Sequence, residues 1–138
     1  MPARDFYHEC AKRALIREGW TITHDPYVLT EGLGRVFVDL AAEQPIGAER
    51  EGDKIAVESK CFRGESELHD FEPAVGQYVF DRSIPEIKEP ERRTFMAVPV
   101  DASENTFQER MTQPVLRQLA MPLIVFRPSE EHIIQWVT

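Results

Sequence analysis

The chain has 138 residues, 42% hydrophobic and 29% charged, which allows one globular domain over residues 1–138 and excludes a disordered or coiled-coil chain. Its 16 Lys and Arg face 24 Asp and Glu, a formal net charge of −8. That balance excludes a protein holding nucleic acid by phosphate neutralisation alone, unless a local basic patch, a bound cation or a partner subunit supplies positive charge.

No apolar run approaches the roughly 18 residues of a membrane span. The opening Met1-Pro-Ala-Arg-Asp-Phe6 lacks the apolar core of a signal peptide, so the expected location is cytoplasmic. Two cysteines, Cys10 and Cys61, are too few for a disulfide framework or a cysteine-rich zinc site. Reduced core thiols are expected.

In chain order, residues 5–18 read as an amphipathic helix. Tyr7, Cys10, Ala11, Ala14 and Leu15 share one face, and Gly19 is placed to end it. Residues 20–23 alternate as a strand that Asp25-Pro26 breaks. After a turn-rich stretch at residues 30–34, residues 35–40 form a second strand. A polar loop over residues 43–53 leads to a third strand at residues 54–62, paired with the second. On it Ile55, Val57, Ser59 and Cys61 share one face, and Ala56, Glu58, Lys60 and Phe62 the other.

Residues 67–82 read as a helix capped near Ser66, with Asp70 early in it. Pro85 and Pro90 bracket a short charged stretch. Residues 94–100 are a near-continuous apolar run that suits a buried strand. Residues 103–119 are expected to be helical, kinked or divided at Pro114. Two strands, residues 121–126 and 132–137, close the chain. The predicted class is one mixed α/β domain in the order α-β-β-β-α-β-α-β-β.

Chemistry concentrates at Asp39, Glu58 and Lys60. Asp39 ends one apolar strand, while Glu58 and Lys60 emerge on one face of the next. Two carboxylates and a lysine at the centre of a sheet are costly unless something uses them. Two acids on neighbouring strands can share Mg²⁺, a hard cation that prefers oxygen ligands. The lysine then positions a water, and the cation polarises a phosphoryl oxygen. The bland alternative is an edge-strand ion pair of negligible net value. Glu43, shortly after Asp39, either returns as a third carboxylate or forms a local ion pair in a polar loop. His69 and Asp70 meet the site or cap their helix. Arg63, Arg82, Arg92 and Arg93 are the candidates for a phosphate-contacting patch, and Trp136 for a partner contact or a core residue.

The helix–meander–helix–strand context with Asp39 and Glu58-Ser59-Lys60 resembles the PD-(D/E)XK nuclease fold, although Val38 stands where that family's name has proline. The resemblance implies a Mg or Mn cofactor on Asp39 and Glu58. It further implies a supporting glutamine on the following helix, matched by Gln77, whose alternative is a helix glutamine bonded to backbone or water. Related branches carry a glutamate on the first helix in a pattern that fits Ala11, Leu15 and Gly19, and His8 stands at that glutamate's position. His8 there either serves the site as a ligand or phosphate contact, or is satisfied by a nearby carbonyl.

Several collinear blocks are similar to the XisH family. They include Pro2-Ala-Arg-Asp-Phe-Tyr-His8, Ala14-Leu-Ile-Arg-Glu-Gly-Trp-Thr-Ile-Thr23, Ala42-Glu-Gln-Pro-Ile-Gly-Ala-Glu-Arg50, Gly76-Gln-Tyr78, Glu89-Pro-Glu-Arg92, Ala97-Val-Pro99 and Ile134-Gln-Trp136. This resemblance implies a cyanobacterial factor controlling excision of the fdxN DNA element during heterocyst differentiation. Its implied partners are DNA, an XisI-like companion protein and a site-specific recombinase. Self-association into a homo-oligomer is compatible with it.

Two functions follow as expectations. One is a metal-dependent DNA endonuclease assisting recombination, with Asp39 and Glu58 on the cation, Lys60 orienting water and Gln77 steadying the arrangement. The alternative is a non-catalytic accessory factor acting through XisI and the recombinase, which the net charge favours.

Overall fold

The computed structural model describes residues 3–44, 53–60 and 67–138. Helix α1 (Ala3–Arg17) precedes strands β1 (Thr21–His24), β2 (Tyr27–Glu31), β3 (Gly34–Val38), β4 (Leu40–Gln44) and β5 (Asp53–Ser59). Helix α2 (Glu67–Lys88) leads to β6 (Arg92–Pro99). Helices α3 (Val100–Glu104) and α4 (Gln113–Leu119), with a 3₁₀ turn between them, precede β7 (Leu123–Arg127) and β8 (His132–Val137).

Six strands form one mixed sheet in the order β1-β4-β5-β6-β7-β8. The β5–β6 and β6–β7 pairs are parallel, and the other three are antiparallel. Strands β2 and β3 make a separate hairpin. Helix α1 covers one face, with Cys10, Ala11, Ala14 and Leu15 packed on Leu40, Ile55, Val57, Phe95 and Phe126. On the opposite face, Phe71, Ala74 and Tyr78 of α2 pack with Met96, Val98 and Val125. The hairpin adds Tyr27, Val36 and Val38 beside Ala41 and Ala56.

The predicted start of the chain holds in detail. Gly19 has φ +93°, and the Trp20 amide donates to the Leu15 carbonyl while the Gly19 amide donates to Ile16. This helix ending needs a left-handed residue, which glycine supplies without a Cβ clash. Cys10 is a buried free thiol, as expected. Cys61, Phe62, Arg63 and the Ser66 cap lie outside the described residues.

Two expected elements are corrected, one unassigned segment is a strand, and the third helical segment divides as expected. The strand expected at residues 35–40 is two strands broken at Asp39: β3 pairs with β2, and β4 pairs with β5 and β1. Residues 27–31 are a strand, because aromatic and β-branched residues precede a two-residue turn whose first member, Gly32, takes φ +58°. The second helix runs to Lys88, through Pro73 and Pro85. Burying Pro85 in the helix's packed stripe offsets the hydrogen bond it cannot donate. The third helical segment divides before Pro114, which sits in the first turn of α4 where a missing N–H costs nothing. Sheet order and these extra strands give more elements than the predicted order; the mixed α/β class stands.

Candidate functional site

Alternation along β5 decides which side chains meet. Ile55 and Val57 turn to α1, so Ala56 and Glu58 turn to α2 and the hairpin. Glu58 is 1% exposed, and its Oε2 has no hydrogen-bond donor. Lys60, just past the strand, places Nζ 3.5 Å from Glu58 Oε2 and donates to Gln77 Oε1 at 2.8 Å. Asp39 sits at the joint between β3 and β4, where its Oδ2 accepts the Ser59 amide at 2.8 Å. Asp39, Glu58, Lys60 and Gln77 are therefore brought together.

A fifth member escaped the sequence reading. Asp81 is 6% exposed, and its carboxyl faces Glu58 and Gln77. It follows Gln77 by one helical turn. The signal was present in the spacing, because Phe71, Ala74, Tyr78, Asp81 and Pro85 form the buried stripe of α2. An acid inside such a stripe is buried by position.

Burial pushes the Glu58 carboxyl up to about 8. The Lys60 ammonium opposes that rise, and Asp39 and Asp81 add to it. Burial also raises Asp81, against the hydrogen bonds from Glu58 and Gln77. Two buried carboxyls facing each other repel when both are ionised, which a shared proton or a bound cation relieves. Asp81 Oδ2, like Glu58 Oε2, is buried without a donor. Anionic oxygens short of partners are the donor set that a hard divalent cation suits.

The family of XisH proteins is matched over residues 1–134. The chain belongs to the XisH family. It is similar to a crystallised fdxN element excision controlling factor protein from Anabaena variabilis, at 33% identity and TM-score 0.86, covering 98% of this chain and 100% of that one. A crystallised XisH family protein from Nostoc punctiforme PCC 73102 is similar at 32% identity and TM-score 0.85, with 97% and 100% covered. No curated protein matches the chain.

Other predicted residues of this XisH chain lie elsewhere. His8 Nε2 is 2.9 Å from Asp25 Oδ1, and Lys12 Nζ is 2.8 Å from Asp25 Oδ2. Among the described residues, His8, Glu9 and Asp25 are the trio of metal-ligating types whose ligand atoms all lie within 4.8 Å of one another. The Lys12 ammonium already neutralises Asp25 there and opposes a second cation. As a trio, Asp39, Glu58 and Asp81 do not meet that 4.8 Å limit, so a cation held by all three would draw them together.

Glu43 takes the ion-pair alternative. It pairs with Arg92 at 3.1 Å, on strand β4 opposite Lys54, toward the far end of β5 from Glu58. Among the described residues, the candidate arginines Arg82, Arg92 and Arg93 are engaged separately. Arg92 is 3% exposed and also reaches Glu89 and the Ile55 carbonyl. Arg82 lies over Tyr78, and Arg93 over Phe95. Trp136 packs with Trp20 and Phe95 against the core. No helix among the described residues is long and apolar enough to cross a membrane.

Proposed function

We propose that this chain is an XisH-type DNA element excision controlling factor, and that it acts on DNA through a PD-(D/E)XK-type site hydrolysing phosphodiesters with Mg²⁺ or Mn²⁺. The observation that carries this reading is Glu58, buried with an oxygen lacking a donor and set 3.5 Å from the Lys60 ammonium. The ammonium stands at ion-pair distance without donating a hydrogen bond to that oxygen, which leaves it available to a ligand. The similarity to a protein described as an fdxN element excision controlling factor brings excision control to the same reading.

Asp39 and Glu58 are the residues that hold the cation. When bound, it supplies Lewis-acid stabilisation of the charge developing on the phosphate oxygens. Lys60 orients the attacking water at the phosphorus, and its own direction is fixed by Gln77 Oε1. The buried setting of Glu58 strengthens its interactions with the cation and with Lys60 by excluding bulk water. With a net charge of −8, the chain engages DNA with positive charge from the cation and from an XisI-like companion, and a site-specific recombinase completes excision.

The test is cleavage of linear and branched DNA by the purified chain, with and without the companion, in Mg²⁺ or Mn²⁺. Asp39→Ala and Glu58→Ala are expected to remove cutting and leave the circular dichroism spectrum unchanged. Metal-dependent cutting that survives in both variants overturns the reading.

A further inference from the structure

We propose that Asp81 of α2 is a ligand carboxylate of the same cation site, on the opposite layer from Asp39 and Glu58. The inference rests on the cation reading of that site and adds a residue that the Asp, Glu-x-Lys pattern does not contain.

Four observations carry it. Asp81 is 94% buried on a helix face otherwise occupied by Phe71, Ala74, Tyr78 and Pro85. An acid at such a position is expensive unless it is paired, protonated or bound to a metal. Its Oδ2 is buried without a donor, although Gln77, one turn away, is in contact with the same carboxyl. The carboxyl also faces Glu58: Gln77, one turn before Asp81, accepts from Lys60 at 2.8 Å, and Lys60 stands 3.5 Å from Glu58. Finally, Asp39, Glu58 and Asp81 put three carboxylates beside one ammonium, Lys60. When all are ionised that set carries a formal charge of −2, which one divalent cation balances. Without Asp81 the remainder is −1, and a divalent cation leaves an excess of positive charge in a buried place.

The consequence is architectural. Glu58 comes from β5 and Asp39 from the joint between β3 and β4, whereas Asp81 comes from the crossover helix between β5 and β6. A cation that all three hold pins α2 to the sheet end. Cation binding then raises thermal stability according to its affinity for the folded chain, to which Asp81 adds.

The experiment is isothermal titration of Mn²⁺ into the full chain, with the Mn²⁺-induced rise in Tm measured in parallel. Glu58→Gln and Asp81→Asn are the variants. The expected result is saturable binding by the wild type, lost in Glu58→Gln and weakened roughly ten-fold or more in Asp81→Asn. The metal-free Tm of Asp81→Asn is expected to equal or exceed that of the wild type. Asp81→Asn that binds Mn²⁺ as tightly as the wild type, while Glu58→Gln does not, overturns the role of Asp81 and leaves the Asp39–Glu58 reading standing. Failure of the wild type to bind overturns both. Should Asp81→Asn misfold, Asp81→Glu replaces it: a changed Mn²⁺ affinity supports a ligand, and an unchanged one overturns it.

Discussion

Lys60 Nζ lies 2.8 Å from Gln77 Oε1, a hydrogen bond that joins the end of a central strand to the helix crossing over it. The same ammonium stands 3.5 Å from Glu58 Oε2. Gln77 thus holds Lys60 back from a full contact pair with Glu58. Gln77→Ala is expected to let Lys60 collapse onto Glu58 and to lower metal-dependent DNA cleavage about ten-fold. Because Gln77 is exposed on α2, Tm should barely change. Cleavage rate and Tm measured together check this, and a rate equal to the wild type refutes it.

Glu58 gives stability a pH dependence of definite sign. Its folded value of about 8 stands above the ordinary 4.5. Between those values the unfolded chain has lost a proton that the folded chain keeps, so this carboxyl removes stability as pH rises from about 4.5 to about 8. Below 4.5 it contributes no slope. Lys60, Asp39 and Asp81 are the charged groups that face it. Glu58→Gln is therefore expected to raise the metal-free Tm, more at pH 8 than at pH 5. Urea unfolding at the two pH values measures the difference directly.

Asp25 behaves oppositely. Burial alone would raise its carboxyl, but the Lys12 hydrogen bond and the charges of His8 and Lys12 outweigh that and hold it below 3.8. Its contribution is present above 3.8 and disappears as pH falls through the lower folded value. Asp25→Asn should lower Tm modestly at pH 6, and the gap to the wild type should close in acid. A thermal-melt series across that range reads the effect.

Arg92 is a buried cation with several partners: Glu43, Glu89 and the Ile55 carbonyl, with the Tyr27 ring 5.1 Å from its guanidinium carbon. Tyr27 donates to Glu89 in turn, and burial together with Glu89 pushes that phenol up to about 12. Arg92→Met is expected to cost about 3 kcal/mol, because two carboxylates and a buried carbonyl lose their donor. Chemical denaturation gives the number. A loss well under 1 kcal/mol would mean that Glu43 and Glu89 turn freely into water.

Much of this arrangement is legible in the sequence. The α1 face, the buried strands around residues 94–99 and 123–126, and the side-by-side placement of Glu58 and Lys60 follow from periodicity alone. Asp81 was harder to read, since a helical acid is normally solvated and only its place in the Phe71–Pro85 stripe reveals it. The break at Asp39 leaves no mark, because Val38-Asp39-Leu40 contains neither proline nor glycine. Partners distant in sequence, such as His8 with Asp25 and Glu43 with Arg92, depend on how helix, turn and strands pack together, which no single segment of the sequence carries.

Asp39 belongs to neither sheet, being the single residue between β3 in the hairpin and β4 in the main sheet. The carboxylate is thus a hinge pin whose direction two independent layers must agree upon. Val38 is fixed by the hairpin core and Leu40 by the α1 core, so repacking either side swings the same acid. A methyl group added or removed at Val36 or Leu40, far from any phosphate, becomes an adjustment screw on the site.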